Sequence, residues 1–379
     1  MESASRLPGV TNGEAKSADT RFYRPQLDVL RFFAFFAVFL NHTLSTDVIS
    51  RLAGASQARG EWLEALHRSG GYGVDLFFTL SAYLITELLL RERSVRGTID
   101  VWSFYVRRAL RIWPLYYVFI LLCLTVVPFL LPAENLPAEY AVAFTFFMGN
   151  WVCAFSGYPP SAAALLWSVS IEEQFYLVWP LLLSRGSASR LKVLPVVLVG
   201  IAFLNRIPLI GIPHPAMWCN TFARLDAIAA GAGLALALNF RVPTIRLAGR
   251  LSLFLFGLAV WLGVARYYEW IGPLGLISYP MVAAGSVALL LSALATPPSH
   301  LLGPLVYLGR ISYGLYVFHA LSLAMAHRWL GMLGVSSPFS KIALGFGLTV
   351  GLAAASYVWL ERPFLRLKQR FTHVTSRTD

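Results

Sequence analysis

The chain has few charged residues, few acids and almost no cysteine. Only 13% of its 379 residues are charged, whereas 57% are apolar, and the mean hydropathy is +0.63. This composition excludes the two or three soluble domains that the length alone would indicate, and is typical of membrane proteins. The three cysteines, Cys123, Cys153 and Cys219, lack metal-like spacing, so we interpret them as packing residues and expect no metal site.

The scarcity of acids leaves a strongly basic chain. Lys and Arg number 31 against 19 Asp and Glu, giving a formal net charge of +12. A single basic patch would favour nucleic acid as a partner. Here the basic residues instead recur between hydrophobic segments, which indicates a lipid bilayer and no nucleic acid. Residues 1–21 are polar and lack the apolar core of a signal peptide, so we predict a disordered cytoplasmic tail.

Long apolar segments follow this tail, and each approaches the roughly 20 residues that cross a bilayer. They lie at 27–46, 73–90, 112–131, 165–184, 193–210, 222–239, 251–267, 274–295, 311–330 and 340–361. Lys and Arg cluster in alternate connections, and this positive-inside bias predicts an all-α membrane protein, a polytopic bundle of about ten transmembrane helices with both termini cytoplasmic. Residues 139–153 are apolar but short, so we expect an interfacial or re-entrant helix there.

The first span, LDVLRFFAFFAVFLNH, carries ionisable groups at both ends. Arg31 and His42 are 11 positions apart, so they share one helical face roughly 16 Å apart along the axis. Asp28 lies one turn before Arg31 as an i,i+3 partner. Charged groups in so apolar a segment are costly, and their shared face favours a working site. The alternative is a membrane anchor with its charges held among the lipid headgroups.

Two further segments carry candidate site residues. Asp75 opens the second span on the same side of the bilayer as His42, where a carboxylate can orient an imidazole; the alternative is a charge favoured by the helix dipole. Arg108 and Arg111 share a face at the inner end of the third span and can clamp a phosphate, although ordinary positive-inside charge also explains basic residues there.

Carboxylates also occur at the head of a later span, WSVSIEEQFYLVWP. Either Glu172 or Glu173 can contact Tyr176 across one turn, and an anchor does not need two adjacent acids. Other ionisable residues in apolar surroundings form a supporting set, which consists of Arg224, Asp226 and His319. Tyr313 and Tyr316 share a face with His319.

Taken in order, GVDLFF, SAYLIT, RRALRIWP, WSVSIEEQFYLVWPLLL, RLDAIAAG and LGRISYGLYVFH resemble the bacterial acyltransferase-3 family of integral-membrane O-acyltransferases. The resemblance covers residues 22–365 as one transmembrane domain, followed by a basic cytoplasmic tail at 366–379 and no appended domain. It implies acyl-CoA as co-substrate with no bound cofactor, and a cell-surface glycan, lipid-linked sugar or glycoside as acceptor. Val29 and Ala82 replace the glycines usual in the family, which affects packing rather than chemistry.

The resemblance also implies roles for individual residues. Arg31, Arg108 and Arg111 are expected to bind the donor. His42, with Asp75 or one of the two adjacent glutamates, is expected to be catalytic, either as a general base or through an acyl-histidine. We therefore expect a multi-pass enzyme of a bacterial cell membrane. A transporter or flippase and a structural scaffold are the alternatives; the former predicts repeated broken helices, and the latter predicts that the buried charges are dispensable.

Overall fold

The computed structural model describes residues 23–44, 46–54, 56–267, 273–299 and 302–372, and all regular structure among them is helical. The α-helices are α1 Pro25–Thr43, α2 Thr46–Ala53, α3 Gln57–Gly70, α4 Gly73–Arg96, α5 Val101–Thr125, α6 Val127–Leu130, α7 Ala138–Thr145, α8 Gly149–Ser156, α9 Trp167–Arg185, α10 Ala188–Arg206, α11 Ala216–Cys219, α12 Leu225–Leu238, α13 Leu247–Tyr267, α14 Gly275–Leu294, α15 Gly303–Arg310, α16 Ser312–Met332, α17 Pro338–Ser356 and α18 Arg362–Lys368. The predicted disordered tail at 1–21 and the last part of the 366–379 tail lie outside the described residues.

Six helical segments in the described part of the chain are long and apolar enough to cross a membrane. They are Gln57–Arg96, Val101–Thr125, Arg190–Leu209, Leu247–Tyr267, Gly275–Leu294 and Pro338–Phe371. The other four predicted spans correspond to α1, α9, α12 and α16. Helix α12 has only 14 residues, and the other three carry many of the candidate ionisable residues, which lower their hydropathy.

Helix α4 lies at the centre of the bundle, and most of its residues are buried. It packs against α1, α9, α12 and α14. Glycine makes two of these approaches possible, because a Cβ at Gly73 would collide with the carbonyl oxygen of Ala34 and one at Gly231 with that of Thr79. Small residues at such positions let helix backbones approach closely in a membrane. The contacts fix α4 between α1 and α12, and so fix the ends of α4 relative to His42.

The short apolar segment at 139–153 folds as two helices, α7 and α8, of 8 residues each. The chain turns between them at Phe147, where φ is +55°. Eight residues rise about 12 Å, well short of the roughly 30 Å hydrocarbon core. Neither helix therefore crosses a bilayer by itself. Gln174 holds the turn by donating from Nε2 to the carbonyl of Phe147 at 2.8 Å. The three cysteines are buried and unbridged, which confirms their interpretation as packing residues.

Candidate active site

The first turns of α1 hold the predicted charge pair. Arg31 lies 3.2 Å from Asp28, as their i,i+3 spacing predicts. The hydroxyl of Tyr23 donates to the second oxygen of Asp28 at 3.0 Å. Asp28 is 2% exposed, so these two donors compensate a carboxylate that would otherwise be costly to bury.

Positive charge converges around a small cavity at this end of the bundle, which we call the basic mouth. Its volume is about 90 Å³, and it is lined by Tyr23, Arg24, Leu27, Asp28, Arg31, Leu84, Leu88, Arg108, Arg111 and Lys368. Arg24 is engaged by Tyr83 and Glu87, at 2.9 and 3.2 Å. Neither Arg108 nor Arg111 forms an ion pair within the described residues. These two guanidinium groups therefore remain available for an anionic ligand.

A second cavity of about 90 Å³, the polar neck, continues from the basic mouth. It is lined by Arg31, Val74, Phe77, Phe78, Ser81, Arg108, Arg111, Ile112, Ser168, Val169, Glu172, Tyr176, Ser312, Tyr313 and Tyr316. Three arginines are common to both cavities. Glu172 faces this neck, whereas the adjacent Glu173 accepts a hydrogen bond from the indole of Trp113 at 3.2 Å. The structure thus separates the two carboxylates that the sequence leaves as alternatives.

The neck leads to a larger cavity of about 600 Å³ at the other end of α1, which we call the histidine cavity. Val74 and Tyr316 line both spaces. The histidine cavity is lined by Val38, Asn41, His42, Ile49, Glu64, His67, Arg68, Gly71, Val74, Tyr158, Ser161, Ala164, Leu165, Trp167, His214, Trp218, Tyr316 and Ala320. The two spaces therefore adjoin at these residues, so the cavity that holds Arg108 and Arg111 lies next to the one that holds His42.

Backbone contacts define the state of His42. Its Nδ1 lies 2.8 Å from the carbonyl oxygen of Val38. A carbonyl only accepts, so Nδ1 carries the proton and Nε2 keeps its lone pair. The side chain is exposed to the histidine cavity. An imidazole with a free Nε2 in a cavity can accept a proton or attack a carbonyl carbon.

The partner that faces His42 is another histidine. His319 donates from Nδ1 to the carbonyl of Tyr316 at 2.6 Å, which leaves its Nε2 as an acceptor. That nitrogen lies 3.4 Å from Nδ1 of His42. His319 is fully buried. It therefore favours the same tautomer of His42 as Val38 does, with Nε2 unprotonated.

Asp75 does not perform the orienting role that we expected from the sequence. Its carboxylate lies 2.9 Å from Arg224, and among the described residues the side chain of His42 has Val38 and His319 as hydrogen-bond partners. The reason is long-range packing, because α12 brings Arg224 against α4. The guanidinium of Arg224 lies 4.0 Å from the centroid of the Trp218 ring. The pair therefore supports the wall of the histidine cavity and does not contact the imidazole.

A second buried ion pair lies next to this one. Arg206 binds both carboxylate oxygens of Asp226 and also donates to the carbonyl of Ala223 at 3.1 Å. Asp226 was expected from the sequence, whereas Arg206, the last residue of α10, was not. The pair attaches α10 to α12, the helix that positions Arg224.

Other residues of the path were not selected as site residues. Ser168 and Tyr316 are hydrogen-bonded at 2.7 Å where the neck meets the histidine cavity. Trp218 and His214 come from the connection before α12, and the sequence signal there was an aromatic residue close to a histidine in a short loop. Burial and then the charge of Arg224 lower the pKa of His214 to about 4. His214 is therefore neutral near pH 7 and adds a polar but uncharged group to the cavity.

Comparison with known proteins identifies the chain's relatives. The profile of a family described as "Acyltransferase domain" matches residues 24–358. Peptidoglycan O-acetyltransferase OatA of Listeria monocytogenes is 28% identical over 367 residues, which cover 86% of this chain and 55% of that protein. YrhL of Bacillus subtilis, provisionally named a peptidoglycan O-acetyltransferase, is 30% identical over 375 residues, covering 90% of this chain and 55% of that protein.

A protein of Staphylococcus aureus provisionally named an O-acetyltransferase is 28% identical over 394 residues, which cover 93% of this chain and 59% of that protein. The chain thus spans little more than half the length of the curated relatives it matches. A comparison with solved structures found no significant match.

Proposed function

Because the chain belongs to the acyltransferase-domain family, matched over residues 24–358, we propose that it is an integral-membrane O-acyltransferase. It transfers an acyl group, most often acetyl, from acyl-CoA to a hydroxyl of a glycan or glycoside. The observation that carries this proposal is the row of adjoining cavities formed by the basic mouth, the polar neck and the histidine cavity. The family match favours an enzyme over a transporter or flippase.

The proposal includes an arrangement in a bacterial cell membrane. Helices α1, α9, α12 and α16 join the six long apolar segments to give about ten spans, with both termini cytoplasmic. Basic residues cluster at the end of the bundle that holds the basic mouth, and such clusters stay on the cytoplasmic side. The mouth therefore opens toward the compartment that supplies acyl-CoA, and the histidine cavity opens toward the outer face.

The donor enters by its charged end. Arg108 and Arg111 bind the CoA phosphates in fork geometry, and Arg31 lies at the boundary between the mouth and the neck. The pantetheine arm runs through the neck past Glu172 and Tyr316. This places the thioester near Nε2 of His42, about three helical turns above Arg31.

At the histidine cavity, Nε2 of His42 takes the proton of the acceptor hydroxyl. The hydroxyl oxygen bonds to the thioester carbonyl carbon, the carbon–sulfur bond breaks, and the CoA thiolate leaves and takes the proton from Nε2 of His42. The imidazolium that forms is stabilised by the carbonyl of Val38, which accepts from Nδ1. An acyl-histidine formed on Nε2 is the other route, and retention of labelled acyl on the protein in the absence of acceptor distinguishes the two.

The acceptor occupies the histidine cavity. Its walls combine the aromatic rings of Trp167, Trp218 and Tyr158 with the polar side chains of Asn41 and Arg68. Flat apolar faces beside a few hydrogen-bonding groups suit a sugar. Relatives named for peptidoglycan O-acetylation favour a cell-wall glycan as this acceptor.

Donor binding is tested by replacing arginine with lysine in the basic mouth. Arg108→Lys and Arg111→Lys keep the charge but lose the bidentate geometry. We expect each purified variant to bind acyl-CoA at least about tenfold more weakly, because one charge-assisted hydrogen bond is worth roughly 1.5–3 kcal/mol. Isothermal titration with acetyl-CoA measures this.

The matched control is Arg185→Lys, which changes an exposed arginine at the end of α9, outside the mouth. Parent-like affinity in both mouth variants would refute the phosphate-binding role. In that case, the better explanation of Arg108 and Arg111 is that they only help to set the orientation of the protein in the membrane.

A further inference from the structure

A separate cavity lies on the other side of α4 and is the largest of those described, with a volume of about 910 Å³. We call it the basic cleft. It is lined by Leu90, Arg93, Ser94, Leu191, Lys192, Pro195, Gly233, Leu236, Ala237, Leu238, Asn239, Phe240 and Arg241. None of these residues lines the basic mouth, the polar neck or the histidine cavity. The acyl-transfer path therefore does not account for it.

The charge of the basic cleft is uniformly positive. Arg93, Lys192 and Arg241 line it, and no carboxylate does. Arg93 is fixed by two backbone carbonyls, those of Leu183 at 3.1 Å and Gly186 at 2.9 Å. Carbonyl acceptors do not neutralise a guanidinium. Three cations around one cavity repel each other, and an anion placed between them relieves that repulsion.

Two of the three cations are uncommitted. Among the described residues, Lys192 and Arg241 have no ion pair or side-chain hydrogen bond, and both are exposed. Other basic residues at this end of the bundle are paired internally, for example Arg91 with Glu87 at 2.9 Å. Lys192 and Arg241 are thus free to bind a ligand from outside the chain.

Beside this basic rim, the wall of the cleft is apolar and combines leucines with Pro195, Gly233 and Ala237. Gly233 on α12 faces Pro195 on α10 so closely that a Cβ there would lie 3.3 Å from the proline ring. Ala237, one turn later, is exposed to the cleft. Lining residues of α10 and α12 enclose this apolar part of the cleft next to the charged rim, and we call it the slot.

A fixed turn closes the rim. Asn239 and Phe240 both have positive φ, +43° and +71°, a conformation that is uncommon for residues other than glycine. The guanidinium of Arg91 lies 5.0 Å from the centroid of the Phe240 ring and holds it in place. The turn presents the following residue, Arg241, at the cleft.

The cleft lies beside an exposed apolar helix surface. Helix α10 lies at the edge of the bundle, and only 17% of its most apolar stretch is buried. Val193 and Val196, on either side of the lining residue Pro195, are 58% and 72% exposed. A ligand in the cleft can therefore keep its apolar part in the bilayer while its anionic part meets the basic rim.

We propose that the basic cleft binds an anionic phospholipid, with the headgroup phosphate between Arg93, Lys192 and Arg241 and an acyl chain in the slot between α10 and α12. A basic pocket between transmembrane helices at the cytoplasmic face matches an anionic headgroup in charge and in depth. The bound lipid joins α10 to α4, which carries Asp75, and to α12, which begins directly after Arg224. This proposal does not depend on the proposed acyl transfer.

The test compares variants of the purified full-length protein in detergent. Lys192→Gln combined with Arg241→Gln removes the two free cations, and Ala237→Trp fills the slot without changing the charge. Native mass spectrometry measures the binding of added phosphatidylglycerol and phosphatidylcholine. We expect the parent to prefer phosphatidylglycerol, and the double variant to bind it about 25-fold more weakly, since each basic residue contributes roughly fivefold. Ala237→Trp should also weaken binding of phosphatidylglycerol.

The matched control is Arg190→Gln with Arg246→Gln, which removes two exposed basic residues at the same face but outside the cleft. Parent-like binding in this control supports a defined site. An equal loss in both double variants would show diffuse attraction and overturn the proposal. Displacement of phosphatidylglycerol by inorganic phosphate would show a soluble-anion site instead, and displacement by CoA would assign the cleft to the donor. Unchanged binding in Ala237→Trp would refute the acyl-chain slot.

Discussion

Replacing the two facing histidines separately distinguishes a catalytic residue from a positioning residue. His42→Gln removes the free Nε2, and an amide cannot take a proton near neutral pH. General acid–base catalysis is worth roughly 10²–10⁴ in rate, so we expect transfer to fall at least about 100-fold. Membrane insertion should be retained, because the side chain ends in a cavity rather than in packed core.

His319→Phe should have a smaller effect. It keeps a buried ring but removes the nitrogen that lies 3.4 Å from Nδ1 of His42. The carbonyl of Val38 still accepts from Nδ1 of His42 at 2.8 Å, so only one of two orienting contacts is lost. A net hydrogen bond is worth about 0.5–1.5 kcal/mol, which corresponds to roughly a 2- to 13-fold loss of rate. His319→Gln places an amide oxygen near the lost nitrogen and should recover part of the rate.

The assay is transfer of labelled acetyl from acetyl-CoA to a glycan acceptor, by equal amounts of each protein in membranes. His327→Gln is the control, because His327 lies on the same helix as His319 but is exposed. Retention of a tenth or more of the parent rate by His42→Gln would remove His42 from the chemistry. A loss in His319→Phe as large as that in His42→Gln would show that His319 reacts directly and is not a positioning residue.

Three further predictions concern topology, the neck and the buried charges. A cysteine placed at position 246, on the cytoplasmic side, should stay unlabelled by an impermeant thiol reagent in whole cells. A cysteine at position 336, on the outer side, should react. Labelling at position 246 would contradict the proposed orientation. Glu172→Gln should reduce acyl transfer about tenfold, because it removes the carboxylate that lines the neck together with Arg108 and Arg111. Glu173→Gln should change transfer less than about threefold, because Glu173 faces Trp113 instead. Equal effects would contradict the assignment of Glu172 to the neck. Arg224→Met leaves Asp75 buried without its partner and should destabilise the protein by roughly 3–5 kcal/mol. Adding Asp75→Leu to this variant should restore part of the lost stability. Thermal unfolding in detergent measures both variants, and equal stability of the single and double variants would argue against a coupled pair.

Much of the helical architecture follows from local sequence. Each predicted apolar segment falls on a helix, because spans of this length satisfy their backbone hydrogen bonds internally whatever lies beside them. Residues on one helix are equally predictable. The i,i+3 spacing of Asp28 and Arg31 is enough to form their ion pair. The Arg31–His42 spacing likewise placed two groups on one face, and in the structure they line the first and last of three adjoining cavities.

Helix boundaries were less predictable. The third span begins at Val101 rather than near position 112, because helical geometry continues through the basic run before the apolar part starts. Hydropathy detects the environment of a helix and not its hydrogen bonds, so it misses a charged first turn. The same limit applies to the broken segment at 139–153, where the turn at Phe147 depends on a hydrogen bond from Gln174 on another helix.

Tertiary packing alone decided which groups face each other. Asp75 and His42 were plausible partners because both lie near the same end of neighbouring helices, yet Asp75 pairs with Arg224 and His42 meets His319, 277 positions away. Adjacent Glu172 and Glu173 differ by about 100° around their helix, so only the position of the neighbouring helices decides which one lines the neck. The sequence by itself determines the face on which a side chain stands, since helical periodicity is local. The partner on that face is set by how close the backbones come, at contacts such as Gly73 against Ala34 and Gly231 against Thr79.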